Sequence, residues 1–330
     1  MPLSRRSLLP ALLGALAARP RLLRAADTVS AASRYSRLPP PDRESTNTTV
    51  VVGESRLELS IEGRPFELST DALTAWLRQS AGIVAKYYGE FPIPEASVNL
   101  RGARGNKVMT GQANPTTNGA VVNVLVGLSA TPQALARDWI LIHELIHLAF
   151  PSVHRRHQWL TEGLATYVES IARAQAGALT ADQVWLGFLD GMPKGLPRAG
   201  DKGLDYTPTW GRTYWGGALF CLLADVRIRE QTNGEKSLQD GLRAICQAGY
   251  HMMEIAEVGD VLGIADDATG VPVLTGQYAE MRATPLPTEI DSLWQQLGVA
   301  QREGRIEYDN AAHLADIRRA LTLPHSSTTS

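Results

Sequence analysis

Apolar and polar positions along the chain alternate with two different periods. Thr48 to Val52 is a β-branched run, and Leu57, Leu59 and Ile61 then alternate with Glu58, Ser60 and Glu62. Such alternation marks a half-exposed strand, and Gly53-Glu54-Ser55 suits a hairpin turn between the two runs. From Asp71 to Tyr88 the period lengthens. Leu73, Trp76, Leu77, Val84 and Tyr87 share one helical face, with Thr70 as the predicted cap. Ser97 to Arg101 and Ala120 to Val126 read as further strands, and the Gly-, Asn- and Thr-rich stretch 102–119 between them as a loop. After residue 150 the pattern is mostly helical. Candidates run from Thr180 to Leu189, Thr209 to Thr232, Thr288 to Leu297 and Ala311 to Leu321, with one short strand near Arg305 to Tyr308. A small sheet with a helix thus precedes a mainly helical part, so the expected class is α+β, divided near residue 150. No internal repeat is visible.

Thr131 to Phe150 departs from this scheme, being apolar almost all round. Read as one helix, it starts at a Thr131 cap with Pro132 in the first turn, ends at Pro151, and belongs in the core. Yet it carries His143, Glu144 and His147. Histidines four residues apart share a helical face, and Glu144 lies about 100° round from His143. Burying two imidazoles and a carboxylate without partners is costly, and a bound metal is the simplest partner. H-E-x-x-H on a helix is the zinc-hydrolase pattern, with two histidine ligands and a glutamate base. The competing reading is a chance pattern of core histidines bonded to backbone. A catalytic zinc takes three protein ligands and keeps a fourth position for water. Glu162 is the candidate third ligand, in the first turn of a second helix marked by Leu164, Tyr167 and Val168. Alone, it would read as a carboxylate favoured by the helix dipole. His154, Arg155, Arg156 and His157, between the two helices, read as a solvated loop.

The string W-L-T-E-G-L-A-T-Y-V-E, from Trp159 to Glu169, resembles the second zinc motif of the gluzincin metallopeptidases, which include thermolysin and the alanyl- and glycyl-type aminopeptidases. The resemblance implies a thermolysin-like catalytic domain over 46–330, with the sheet and metal helix in 46–150 and the helical part in 151–330. It implies Zn2+ held by His143, His147 and Glu162, with Glu144 as the base. It also makes Glu169, two turns after Glu162, an outer partner that orients a ligand histidine. Tyr214-Trp215-Gly216-Gly217-Ala218-Leu219 is similar to the Y-x-x-G-A-L segment of glycyl and alanyl aminopeptidases, whose tyrosine stabilises the transition state. Tyr214 is therefore the candidate oxyanion donor, with Tyr206 in reserve; without the resemblance Tyr214 reads as a core aromatic. In gluzincins the edge strand near the zinc pairs with the substrate backbone, a role that falls here to Ala120 to Val126. Alanyl-type aminopeptidases carry a glutamate in a G-x-M-E-N motif before the metal helix, which grips the free amino terminus. Between Gly102 and Ile142 this chain has no glutamate, so cleavage of internal bonds is expected ahead of aminopeptidase action.

Composition adds a compartment. With 44% hydrophobic and 20% charged residues, the 330-residue chain has the make-up of an ordinary globular protein. Arg5 and Arg6 precede an apolar run from Leu8 to Ala18 that is too short to span a bilayer. This reads as an export signal over 1–26, followed by a Ser-, Ala-, Arg- and Pro-rich linker over 27–45. Twin-arginine and general secretory routes both stay open, as does cleavage after Ala17, Ala26 or Ala31. Removing 1–26 removes five arginines and no acid, which takes the net charge from −2 to about −7. Nothing in that balance favours nucleic acid or an anionic membrane, and no other segment reads as a membrane helix. Cys221 and Cys246 lie in apolar helical patterns and read as core thiols, with a disulfide as the alternative in an oxidising compartment.

These readings converge on an exported zinc metallopeptidase, periplasmic or secreted, acting on peptide or protein substrates. Two alternatives stay open: a zinc hydrolase of a non-peptide amide, and a catalytically silent binding protein that keeps the metal for structure. Structural zinc sites usually fill four positions with Cys or His, and two distant cysteines do not supply that.

Overall fold

Strands β1 (Ser45–Val52) and β2 (Ser55–Glu62) form the expected hairpin, turning at Gly53 with φ 60°. The computed structural model describes residues 45–324. The signal and all but the last residue of the expected linker therefore lie outside the described residues. Helix α1 (Thr70–Tyr88) follows, its first turn closed by Ser69, whose Oγ accepts from the Ala72 amide at 3.2 Å. The cap is thus one residue earlier than the pattern predicts. Strand β3 (Glu95–Ala103) runs parallel to β2, and α1 makes the crossover between them.

Stretch 102–119 is not a loop. Strand β4 (Val108–Thr116) lies within it and pairs antiparallel with β5 (Gly119–Gly127) across a turn at Thr117-Asn118. The sheet order is β1-β2-β3-β5-β4, so β5 is interior and β4 is the edge. An edge strand has a neighbour on one side only, so polar Thr110, Gln112 and Asn114 are tolerated there, and the apolar alternation that betrays a strand is lost. Asn118-Gly119 is a strong hairpin signal that the loop reading passed over. One face of the sheet is buried: Val50, Leu57, Leu59, Val98, Leu100, Val122 and Val124 join the apolar face of α1 in a single core.

The metal segment is also divided. Helix α2 (Pro132–Ala136) is capped by Thr131, and a separate helix α3 (Ile140–His147) begins after Trp139. Asp138 causes the break. Its two carboxylate oxygens accept from the Ile140 and Leu141 amides at 3.1 and 3.0 Å, which starts a new helix where the old one could have continued. Leu141, Leu145 and Ile146 of α3 are fully buried.

The rest is helical: α4 (Gln158–Gln175), α5 (Ala181–Gly191), α6 (Gly217–Gln231), α7 (Leu238–Gln247), α8 (Val258–Thr269), α9 (Val273–Met281), α10 (Ile290–Leu297) and α11 (Ala315–Thr322). A β6 (Val299–Arg302)–β7 (Arg305–Tyr308) hairpin interrupts the last two. The expected long helix from Thr209 is in two parts, a π-turn over Gly211–Gly216 and then α6. Helices α8 and α9 lie outside the expected set. Helices α4 and α6 cross at Gly163 and Gly217, where a Cβ on Gly163 would come within 2.2 Å of the Gly217 backbone. Cys221 and Cys246 are unpaired thiols, so the disulfide alternative does not hold. No helix among the described residues is long and apolar enough to cross a membrane.

Candidate active site

Helix α3 presents His143 and His147 one turn apart, their rings 4.8 Å apart and nearly perpendicular. Glu162 arrives from the first turns of α4. Its Oε2 lies 3.2 Å from Nε2 of His143 and 3.6 Å from Nε2 of His147. These donors all lie within 4.8 Å of one another, and they are the one such group of three found among the described residues. The Gly163–Gly217 crossing holds α4 against α6, and so brings Glu162 to the same place as the π-turn that precedes α6.

The charges are arranged around the cluster. Burial would raise the Glu162 carboxyl, but the two imidazoles outweigh it and hold that group well below the usual carboxylate range. Burial lowers His143. It works against ionisation of His147 as well, yet Glu162 reverses the effect and raises that imidazole. Glu162 is thus biased towards its ionised form and His147 towards its protonated form. A tetrahedral cation that takes two imidazole nitrogens and a carboxylate oxygen fits this donor set.

Glu144 does not join the cluster but borders it. Burial pushes its carboxyl up from 4.5 to about 7, and the Ala113 backbone N–H donates to it. Gly111 of β4 lies against the same side chain: a Cβ there would come within 2.5 Å of Glu144 Cγ and 2.8 Å of Ile140. The edge strand beside the cluster is therefore β4, not the expected Ala120 to Val126 strand, which lies inside the sheet as β5. Tyr214, in the π-turn, stacks on the His143 ring at 6.3 Å and 27°. A π-turn carries one residue more than an α-turn and shifts the side chains that follow. Tyr206, the reserve candidate, is 55% exposed on a turn.

No protein-family model matches this chain, and no curated protein matches it. Solved structures do. An aminopeptidase N family protein from Idiomarina loihiensis aligns with a TM-score of 0.56 at 15% identity, over 78% of this chain and 49% of that one. The chain shares that fold. An M1 zinc metallopeptidase from Deinococcus radiodurans aligns at 0.46 and 15% identity, over 76% of this chain and 54% of that one. This chain thus spans about half the length of the structures it matches. The shared part is the mixed α/β architecture, an N-terminal sheet followed by helices.

Two sequence readings need correction. Among the described residues Glu169 is hydrogen-bonded to Arg173 and Ser170 and to no histidine. It is buried and receives these bonds at 2.5 and 3.0 Å, while Nδ1 of His143 is buried without a partner. A cation four residues on in the same helix is nearer to Glu169 than any imidazole is, and it takes the charge. The second correction concerns one residue of the expected solvated loop, since His154, Arg155 and Arg156 are exposed as expected and only His157 is not. His157 is buried, with Nδ1 2.8 Å from Asp205, which also accepts from Trp159 Nε1 at 2.8 Å. This knot ties the entrance of α4, and with it Glu162, to the 201–205 segment. Nothing in the sequence near His157 announces its partner, which is 48 residues away.

Proposed function

We propose that the protein is an exported, zinc-dependent metallopeptidase of the thermolysin-like, gluzincin type. One observation carries this reading: two imidazoles and a carboxylate from two helices converge, with a second, uncoordinated carboxylate beside them. His143, His147 and Glu162 would hold the ion. Zinc bound there supplies Lewis acidity, lowering the pKa of water to about 7 and polarising the substrate carbonyl. Glu144 accepts the proton of the attacking water. It then passes that proton to the amine nitrogen as the C–N bond breaks, so one water is consumed and a carboxylate and an amine are released. The Tyr214 hydroxyl donates to the carbonyl oxygen as negative charge grows on it. The free edge of β4 offers N–H and C=O groups to an extended substrate.

The test pairs metal analysis with a peptide-library digest followed by mass spectrometry. Expected are about one zinc per chain, its loss in His147→Ala, and its retention in Glu144→Gln with peptide cleavage abolished. Zinc with no cleavage of any peptide or amide by the wild type would instead support the silent binding protein, and cleavage only of non-peptide amides the other hydrolase.

We further propose that internal bonds are cut, because residues 102–142 hold no glutamate to grip an amino terminus, and β4 carries Gln112 and Asn114 in that region. The Idiomarina neighbour, an aminopeptidase N family protein by name, favours the opposite mode. Export rests on Arg5, Arg6 and the apolar run to Ala18; the N-terminal sequence of protein recovered outside the cytoplasm, beginning after Ala17, Ala26 or Ala31, tests it.

A further inference from the structure

The chain has seven tryptophans, and two of them are exposed. Trp139 is 50% exposed and Trp210 62%, while the other five are buried or half-buried. Neither exposed indole is stray. Trp139 stands edge-on to His143 with ring centroids 5.6 Å apart, and Trp210 lies 6.1 Å from Tyr214, which stacks on His143. The four rings make one row, Trp139, His143, Tyr214 and Trp210. A cluster histidine lies within the row, and an exposed indole stands at each end.

Beyond Trp210 the row opens into a cavity of about 610 Å³, within the usual range of ligand pockets. Leu196, Ala199 and Gly200 line it with Trp210, and Lys194, Arg198 and Arg212 bring positive charge. Lys194 is paired with Asp190 at 2.6 Å and Arg212 with Asp201 at 2.8 Å. Arg198 is exposed and makes no ion pair with a described residue. Two ring contacts separate His143 from Trp210, a span that an extended peptide covers in about three or four residues.

On the peptidase reading above, we propose that Trp210 and this cavity determine specificity. They receive a large apolar, preferably aromatic, side chain within about three residues of the scissile bond. Two features carry this. An exposed indole gains most from a ring packed edge-on or offset against it, and beside it Leu196 and Ala199 add apolar surface, while the polar groups on the same wall include Thr207, Thr209 and an Asp201 already paired with Arg212. Arg198 at the rim repels lysine and arginine side chains from the same pocket. Trp139 bounds the opposite end of the row.

The experiment uses zinc-loaded protein and alanine-based peptides that carry a single Phe, Ala or Lys, scanned over the three positions on each side of the cleaved bond. At one position the wild type should prefer Phe to Ala by at least about tenfold in kcat/KM. Trp210→Ala should remove most of that ratio and Trp210→Phe should keep it, while Arg198→Glu raises Lys relative to Phe by about threefold or more. A Phe-to-Ala ratio that is the same in wild type and Trp210→Ala overturns the proposal. Because Trp210 is mostly exposed, its truncation leaves the core intact. A second arm needs no turnover: calorimetric titration of the same peptides into Glu144→Gln, with and without Trp210→Ala. Tighter binding of the Phe peptide that depends on Trp210 supports the proposal even if the wild type cleaves nothing, a result that would sink the peptidase reading alone. Equal binding of the Phe and Ala peptides in that arm overturns it.

Discussion

Glu144 is buried where a charge is costly, and its partners are few: the Ala113 amide, the surface of Gly111 and the nearby His147. That environment lifts its carboxyl to about 7, although Glu144 is not one of the three donors and its proton occupies no metal-binding atom. His147, raised by Glu162, keeps its proton to higher pH than a free imidazole. The sign follows. A protonated imidazole cannot bind the cation, so His147 competes with it below its raised value, and zinc affinity should climb with pH between roughly 5 and 8 and level off above. Calorimetric titrations in buffers of different ionisation enthalpy should show proton release at pH 6; a zinc affinity independent of pH over that range contradicts the arrangement. Tyr214→Phe deletes one hydroxyl and keeps the ring on His143. Turnover should fall about a hundredfold with KM little changed, since an oxyanion donor acts mainly in the transition state. Steady-state kinetics decide it, and if Tyr206→Phe shows the loss instead, the donor is Tyr206.

At the scale of elements, two glycines set the site. Gly163 lets α4 meet α6 backbone to backbone, and a methyl group there has no flexible side chain to displace, only Gly217 main chain at 2.2 Å. Gly163→Ala should therefore lose about 1–3 kcal/mol of stability in urea unfolding, and zinc with it as Glu162 is pushed away. Gly111→Ala acts on the other wall. Its methyl meets the Glu144 side chain, which can move, so the fold and the zinc should survive while kcat drops at least about tenfold. Unchanged kcat in Gly111→Ala would show that Glu144 does not need β4 to hold it in place. Strand β4 is the element least marked in the sequence. Its edge position removes the need for apolar alternation, whereas the interior strand β5 keeps Ala120, Val122, Val124 and Val126 all buried.

At the scale of the whole molecule, the fold is shared with a protein roughly twice as long as the aligned region, so the mode of attack on a substrate is this chain's own question. One peptide in free and N-acetylated forms answers it. Equal cleavage is expected, because no glutamate precedes the metal helix in 102–142 and the one aspartate there, Asp138, is engaged by the Ile140 and Leu141 amides; loss of cleavage on acetylation would instead mark aminopeptidase action with an anchor elsewhere in the fold. Burial of sheet and helices in one core fixes the distances on which this chemistry depends.

Local chemistry was legible from the residues because its rules are local. A spacing of four puts His143 and His147 on one face, alternation makes β2, and the run from Thr180 to Leu189 makes α5, each settled within a few turns of chain. Tertiary structure decided whatever depends on a partner far away in sequence. It buried His157 against Asp205, 48 residues away, and left His143 Nδ1 buried without a partner. It moved the edge from β5 to β4 and placed the exposed Trp210 between Tyr214 and a cavity. In each case the competing partners are set by packing, and a buried polar group takes whichever one the fold brings within hydrogen-bonding distance.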